Sequence, residues 1–166
     1  GSSHYEDWVK LREVLMEVLG RYPRLHLVLM GIKFDHIIKD LPVNQVEFHP
    51  WEDKLSYPLR VSLINPDFCI IPLADNEFNR CKSPIKFVEQ GALGVPCIMS
   101  EVEPYKVVYN GANAIMIRNN DPQAWVDAIK NSCQSCHFRS WLGLKAGLAS
   151  LSFGGMMVWK TRLCSL

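Results

Sequence analysis

The sequence predicts an α/β protein, a Rossmann-like doubly wound parallel sheet with helices on both faces. Short apolar runs alternate with segments of helical periodicity along most of the chain, and alternation with short connections is typical of parallel βαβ units. A length of 166 residues suits one such domain. A content of 48% hydrophobic and 21% charged residues is that of a soluble globular protein that buries its own core.

The charge and the hydropathy of the chain argue against several classes of partner. The net charge is +1 and no long basic run occurs, so no nucleic-acid or membrane-surface partner is predicted. No apolar run approaches the roughly 20 residues that span a bilayer, and the N-terminus lacks the basic-then-apolar layout of a signal peptide. We therefore predict a cytoplasmic protein without a membrane span. The six cysteines are expected to be reduced, because a core of this size needs no disulfide staples.

The N-terminal segment predicts a helix of about four turns. Five apolar residues fall at helical spacing there: Trp8, Leu11, Leu15, Val18 and Leu19. The small polar residues of Gly1–His4 precede this helix, and free N–H groups at a helix start can bind a phosphate. Taken on their own, the same four residues are more typical of an ordinary helix cap or of an expression tag than of a phosphate site.

Apolar runs predict the strands that follow. Leu25–Met30 has the composition of a strand buried on both faces, a second strand is expected at Gln45–Phe48, and a third at Phe68–Leu73. A short helix limited by Pro42 is predicted between the first two, and a longer helix from Tyr57 precedes the third. In such sheets, ligands bind at the carboxyl ends of the strands.

The stretch after the third predicted strand is therefore the candidate site. The loop Ala74–Lys82 leaves the carboxyl end of that strand, and Ser83–Pro84 then has the pattern of an N-cap followed by the first residue of a helix. This arrangement predicts an anion as the ligand. Lys86 and Glu89 share one face of the predicted helix, which is equally consistent with a site or with an exposed Lys-Glu pair.

The same stretch resembles a known family. The strings Phe78–Glu89 and Ala92–Ile98 are similar to the C-terminal, donor-binding domain of GT-B glycosyltransferases, especially bacterial members with an "FN..KS..K..E" signature. Pro104–Tyr105 and Asn110–Asn113 resemble the continuation of that pattern. The resemblance also implies a strand at Ala114–Ile117 and a helix opening at residues 123–125.

The resemblance implies roles for individual residues. Glu89 would hold the ribose hydroxyls of a nucleoside-diphosphate sugar. Positive and N–H groups would face the diphosphate and stabilise the leaving nucleotide, so that no metal ion and no cofactor are expected. The implied diphosphate-binding residues are Ser2, Ser3, His4, Lys82, Ser83 and Lys86.

One position departs from the family pattern. Many relatives that retain anomeric configuration carry a second glutamate eight positions before the ribose-binding one, and Cys81 stands there in this chain. The contact to the donor sugar is therefore unassigned by the resemblance. Asp75, Asn76 and Glu77 lie close by in sequence and could take it over, and the candidates that we name are Asn79 and Asp75. A retaining or inverting outcome, the donor sugar and the base are left open for the same reason.

The resemblance also implies what lies around this chain. Residues 1–137 correspond to the donor-binding domain, and residues 138–166 correspond to C-terminal helices that dock on an N-terminal acceptor domain. By the same resemblance, that acceptor domain and the first strand of the donor-binding domain are expected to be missing from this sequence. The expected function is hexosyl transfer for cell-surface polysaccharide synthesis by the longer enzyme, with this chain inactive alone. Unpaired edges left by the missing strand would favour homo-oligomers.

Two other function classes stay open. The GT-B fold also hosts epimerases and phosphorylases, and a non-catalytic nucleotide-binding module has the same features. A Rossmann dehydrogenase is disfavoured because no G-x-G-x-x-G pattern occurs between a strand and a helix. Cys133–His137 matches the letter pattern of covalent haem attachment, but haem attachment requires export and the chain shows no export signal.

Overall fold

A computed structural model describes residues 5–33, 35–53, 55–106, 114–135 and 157–161 of the chain. These residues form one six-stranded sheet in the order β2-β1-β6-β3-β4-β5. The strands are β1 Leu25–Met30, β2 Val46–His49, β3 Phe68–Ile71, β4 Cys97–Ser100, β5 Ala114–Ile117 and β6 Met157–Thr161.

Helices alternate with the strands. They are α1 Tyr5–Val9, α2 Arg12–Arg21, α3 Asp35–Ile38, α4 Ser56–Ile64, α5 Glu77–Arg80, α6 Ile85–Ala92 and α7 Pro122–Gln134. Short 3-10 turns occupy Val43–Gln45, Glu103–Tyr105 and Arg118–Asn120. None of the helices in the described ranges is long and apolar enough to cross a membrane.

The predicted fold class is confirmed. Strands β1 to β5 run parallel, because β1 pairs with β2, β3 with β4 and β4 with β5 in parallel register, and β6 is antiparallel to both β1 and β3. The predicted bounds of β1 and β5 match the observed ones. Strand β3 ends two residues early, at Ile71, because Pro72 has no N–H with which to continue the ladder.

Two hydrophobic cores cover the two faces of the sheet. Alternate residues of β1 point to opposite faces, so Leu27 and Leu29 lie in the core under α2 and α7, whereas Val28 and Met30 lie in the core under α4 and α6. The first core includes Trp125, which is almost fully buried. Helices on both faces are thus held by apolar burial, the main favourable term in folding.

The centre of the sheet corrects one expectation. We predicted helices over residues 138–166 and unpaired strand edges where the family's first strand is absent. Instead, β6 lies between β1 and β3 and pairs with both, antiparallel to its neighbours. Its sequence, Met-Val-Trp-Lys-Thr, is rich in β-branched and aromatic residues, and its backbone hydrogen bonds satisfy the inner edges of β1 and β3. The remainder of 138–166 lies outside the described residues.

The N-terminal helix also differs from its prediction. A single helix of about four turns was expected, but the structure has α1 and α2, separated at Lys10–Leu11. Leu11 precedes α2 without a side-chain cap. Within α1, Trp8 lies in the first core, whereas Asp7, one residue earlier, is buried against the loop after β3.

A polar network fixes the carboxyl ends of three neighbouring strands. The backbone N–H of Leu73 donates to Ser100 Oγ at 2.8 Å, and Ser100 Oγ donates to Asn120 Oδ1 at 2.5 Å. Asn120 Nδ2 in turn donates to the carbonyl of Leu73 at 2.9 Å. This closed set of hydrogen bonds joins the last residue of β4 to the segments after β3 and β5, and so defines the edge of the sheet where ligands are expected.

Candidate functional site

The candidate site is built on α6 and on the loop that leads into it from β3. Helix α6 begins at Ile85, one residue later than predicted, with Pro84 in the N-cap position and no side-chain cap. The predicted cap, Ser83, is exposed and makes no such bond, because the proline at the N-cap position moves the helix start past it. The helix ends before Gly94, whose φ of +70° suits glycine.

Glu89 is the most unusual side chain of α6. It is only 8% exposed, and neither carboxylate oxygen has a hydrogen-bond partner among the described residues. Burial raises the pKa of Glu89 to about 7, while the ammonium of Lys86 opposes that rise. A buried acceptor without a donor is costly in a folded protein. The arrangement therefore fits a ligand that brings hydrogen-bond donors to this carboxylate.

Two lysines belong to the same group of charges. Burial lowers the pKa of Lys86 to about 8, and Asp7 and Glu89 are among the groups that oppose this shift. Burial also lowers the pKa of Lys82, with Asp7 opposing. Lys82 Nζ is buried, lies 4.9 Å from the centre of the Phe78 ring, and has no hydrogen-bond acceptor in the part of the chain that the structure describes. Such an ammonium group can donate charge-assisted hydrogen bonds to an anionic ligand.

Asp7 is a site residue that the sequence reasoning missed. Its side chain is 2% exposed and accepts hydrogen bonds from the backbone N–H of Ala74 at 2.7 Å and from Asn79 Nδ2 at 3.1 Å. It therefore connects α1 to the loop after β3. In the sequence, Asp7 has only the pattern of an acidic residue at a helix start, and nothing there signals that it folds against a loop 67 residues away.

Of the two candidates for the donor sugar, Asn79 lies inside this loop. Its Nδ2 donates to Asp7 and, at 2.8 Å, to the carbonyl of Ala74, so the amide shapes the turn after β3. Its backbone N–H is capped by the side chain of Asn76 at 2.8 Å. Only Asn79 Oδ1 is without a partner among the described residues. This oxygen is buried, so it would accept a hydrogen bond only from a group that enters the loop.

Asp75, the other candidate, lies elsewhere. Its carboxylate is exposed and forms a bidentate ion pair with Arg80, in which Nε donates to Oδ1 at 2.7 Å and Nη2 donates to Oδ2 at 3.0 Å. This ion pair lowers the pKa of Asp75. Asp75 lines a separate cavity of about 440 Å³ with Arg80, Glu101 and Tyr105, among others, and this cavity is not lined by Lys82, Lys86 or Glu89. The structure thus does not bring Asp75 together with the lysines and the glutamate.

Tyr57 of α4 is a second residue near Glu89 that the sequence did not single out. The ring of Tyr57 is buried in the core under α4 and α6, and its hydroxyl has no hydrogen-bond partner in the described ranges. Burial raises the pKa of Tyr57, and the charge of Glu89 adds to that rise. The sequence indicated only a helix start at Tyr57-Pro58, because long-range contacts to α6 leave no local pattern.

Some predicted residues cannot be placed. Ser2, Ser3 and His4 lie outside the described residues, as do Cys136 and His137 of the haem-like pattern. Cys133 lies buried on α7. Among the residues that the structure describes, no group of three or more His, Cys, Asp or Glu side chains gathers to hold a metal ion.

Comparisons with known proteins identify the family and a shared fold. Residues 6–135 match the family described as "Glycosyl transferases group 1". Two crystal structures of Anabaena Alr3699/HepE, one in complex with UDP and glucose and one with UDP-glucose, each superpose with a TM-score of 0.65 at 16% identity. They cover 84% of this chain, which spans only 39% and 40% of theirs. No curated protein matches the sequence.

Proposed function

The chain belongs to the group 1 glycosyl transferases, and from this premise we propose that it binds the nucleoside-diphosphate sugar from which the longer enzyme transfers a hexosyl group. The chain spans about two fifths of the Anabaena protein whose two crystal structures share its fold. We therefore also propose that a second domain binds the acceptor and that this chain alone is inactive. We further propose that the longer enzyme is cytoplasmic and contributes to the synthesis of a cell-surface polysaccharide.

The observation that carries the proposal is the unpaired carboxylate of Glu89. Its two oxygens are buried and have no donor among the described residues, which matches a ligand with two neighbouring hydroxyl groups, such as a ribose. Each hydroxyl would donate one hydrogen bond, and bonds to a charged acceptor are among the strong ones. The ligand would thus satisfy what the protein leaves unsatisfied.

The diphosphate is assigned to the start of α6. Lys82 and Lys86 supply positive charge near the first turn of that helix, where the helix dipole also favours an anion. Charge that grows on the leaving nucleoside diphosphate would be stabilised there without a metal ion. Ser83 is exposed and lies just before this helix. We assign Ser2, Ser3 and His4 to the opposite side of the diphosphate on the family resemblance alone. Asn79 Oδ1 is the favoured contact to the sugar, ahead of Asp75.

A calorimetric titration with a small panel tests this function. UDP, GDP, UDP-glucose and GDP-mannose are titrated into the folded chain at pH 7.5. UDP is the first probe because the Anabaena protein of the same fold was crystallised with UDP and glucose and with UDP-glucose. We expect weak but saturable binding by at least one nucleotide and no sugar transfer. Absence of binding by all four, from well-folded protein, would contradict the proposal.

The Lys82→Gln variant tests the diphosphate assignment. Lys82 Nζ has no acceptor within the described ranges, so its removal is expected to weaken UDP binding by about tenfold and to leave the midpoint of thermal unfolding nearly unchanged. Lys106→Gln is the matched control, since Lys106 pairs with Glu103 on the surface and is expected to leave the affinity unchanged. Equal affinities for the two variants would remove Lys82 from the site.

A further inference from the structure

The outer side of α4 exposes three leucines to solvent. Leu55, Leu59 and Leu63 are 90%, 63% and 68% exposed. Leu55 directly precedes the helix and already has helical backbone angles, with φ −84° and ψ −39°, so the three residues follow one another at helical intervals of four. Residues four apart on a helix are neighbours on its surface. The three leucines therefore form one continuous apolar band, which we call the leucine stripe.

The charges around the leucine stripe are already engaged within the chain. Arg60 is the one charged residue of α4, and its Nε donates to Glu52 Oε1 at 3.1 Å. The carboxylate of Asp53 accepts from the backbone N–H groups of Leu55 and Ser56 at the start of the helix, at 2.8 and 3.0 Å. A strongly charged partner finds no complement on such a surface. A second copy of the same surface can approach it without facing an unpaired like charge.

The spacing of the leucine stripe also suits a second copy. Leu55 lies four residues before Leu59, and Leu63 lies four residues after it, so the stripe is symmetric about Leu59. When two copies of α4 pack antiparallel across a twofold axis at this point, Leu59 meets Leu59, and Leu55 of each copy meets Leu63 of the other. Such self-complementary contacts define a twofold dimer interface. Antiparallel helices also place the opposite ends of their dipoles side by side.

We propose that the leucine stripe is the docking surface for a second copy of this chain. Its apolar surface is on the order of 300 to 400 Å², which is close to half of the about 800 Å² that each partner buries in a standard interface with a polar rim. The stripe lies on the side of α4 that faces away from the core, whereas the nucleotide is proposed to bind at the carboxyl ends of the strands. The inference therefore does not rest on the proposed function.

Sedimentation of the full chain over a range of concentrations from about 5 to about 200 μM tests the proposal. We expect the monomer of 19.0 kDa to be replaced by a species of twice that mass as the concentration rises. The Leu59→Lys variant places two ammonium groups on the axis and is expected to weaken the dimer by about 100-fold or more, while the fold is expected to persist because the site is exposed. UDP affinity is expected to be unchanged.

Val43→Lys is the matched control for this variant. Val43 is 88% exposed and lies on the 3-10 turn before β2 rather than on α4, so the same change of residue is expected to leave the dimer intact. A wild-type chain that stays at 19.0 kDa at every concentration would leave the stripe to another domain or protein and would overturn the proposal. Equal effects of Leu59→Lys and Val43→Lys would overturn it as well.

A mixture of two variants tests the antiparallel register. Leu59→Lys and Leu59→Glu are each expected to be monomeric, because like charges would meet on the axis. Mixed in equal amounts, they are expected to form a heterodimer at least about tenfold tighter than either variant alone, because opposite charges then meet. A mixture that associates no more tightly than the separate variants would overturn the proposal. Should Leu59→Lys not fold, the dissociation expected of Leu59→Glu decides it.

Discussion

A Glu89→Gln variant is expected to lose UDP affinity by about 100-fold or more, because glutamine replaces one of two charged acceptors with an amide donor. The backbone of α6 has no reason to move, since neither carboxylate oxygen is bonded to the described part of the protein. We therefore expect the variant to fold normally and the loss of affinity to come from a less favourable binding enthalpy. Calorimetry measures it directly.

The same variant is expected to be more stable than the wild type. The pKa of Glu89 is raised by burial from its ordinary value of 4.5 to about 7, so the folded wild-type protein retains a proton that the unfolded chain has released. The stabilisation of the folded state that this proton provides is fully present below about pH 4.5, and it is lost as the pH rises through about 7. At pH 8 we expect Glu89→Gln to increase the free energy of unfolding by about 1 to 3 kcal/mol, measured by urea denaturation.

The control for both effects is Glu13→Gln. Glu13 is an exposed carboxylate of α2, and its substitution is expected to change neither UDP affinity nor the pH dependence of unfolding. If Glu89→Gln instead destabilised the protein at pH 8 and bound UDP normally, Glu89 would be a structural residue. Opposite signs for binding and stability are the signature of a binding role.

A Val158→Pro variant is expected to lower the free energy of unfolding by about 3 kcal/mol or more, because proline removes a ladder donor from a central strand. Val158 is paired with Val28 of β1 on one side and with Cys69 of β3 on the other. Strand β6 is the sole link between β1 and β3 within the described sheet. Loss of its register would leave two inner edges unpaired.

Truncation after Thr161 provides the matched control for β6. It removes only residues 162–166 and keeps the whole strand, so stability is expected to change by less than about 0.5 kcal/mol. Truncation after Gly155 removes the strand and is expected to resemble or exceed Val158→Pro. Urea unfolding curves that coincide for all three proteins and the wild type would show that β6 does not contribute to the sheet.

The elements that the sequence predicted well are those with local signals. Leu25–Met30 is a run of buried apolar residues bounded by Pro23 and Gly31, and it forms β1 within those bounds. The position of α6 after β3 followed from Pro84 and from the apolar spacing of Phe87 and Val88. Such patterns depend on residues within a few positions of one another, and this is why they can be recognised without the fold.

The elements that the sequence did not predict depend on distant contacts. Strand β6 forms because a gap between β1 and β3 leaves backbone groups to satisfy, and its antiparallel direction has no local cause. The role of Asp7 requires the loop at Ala74, and the burial of Tyr57 beside Glu89 requires α4 to pack near α6. In each case the cause lies dozens of residues away, beyond the reach of periodicity or capping rules.

A crystal structure of the chain with UDP or GDP, whichever binds more tightly, is the most direct test of the account. The central claim is that the carboxylate of Glu89 is the acceptor that the protein leaves for a ribose. We expect both Glu89 oxygens within about 2.5–3.0 Å of the ribose hydroxyls, with the diphosphate beside Lys82 at the start of α6. A nucleotide bound elsewhere, or one that leaves Glu89 unpaired, would contradict the claim.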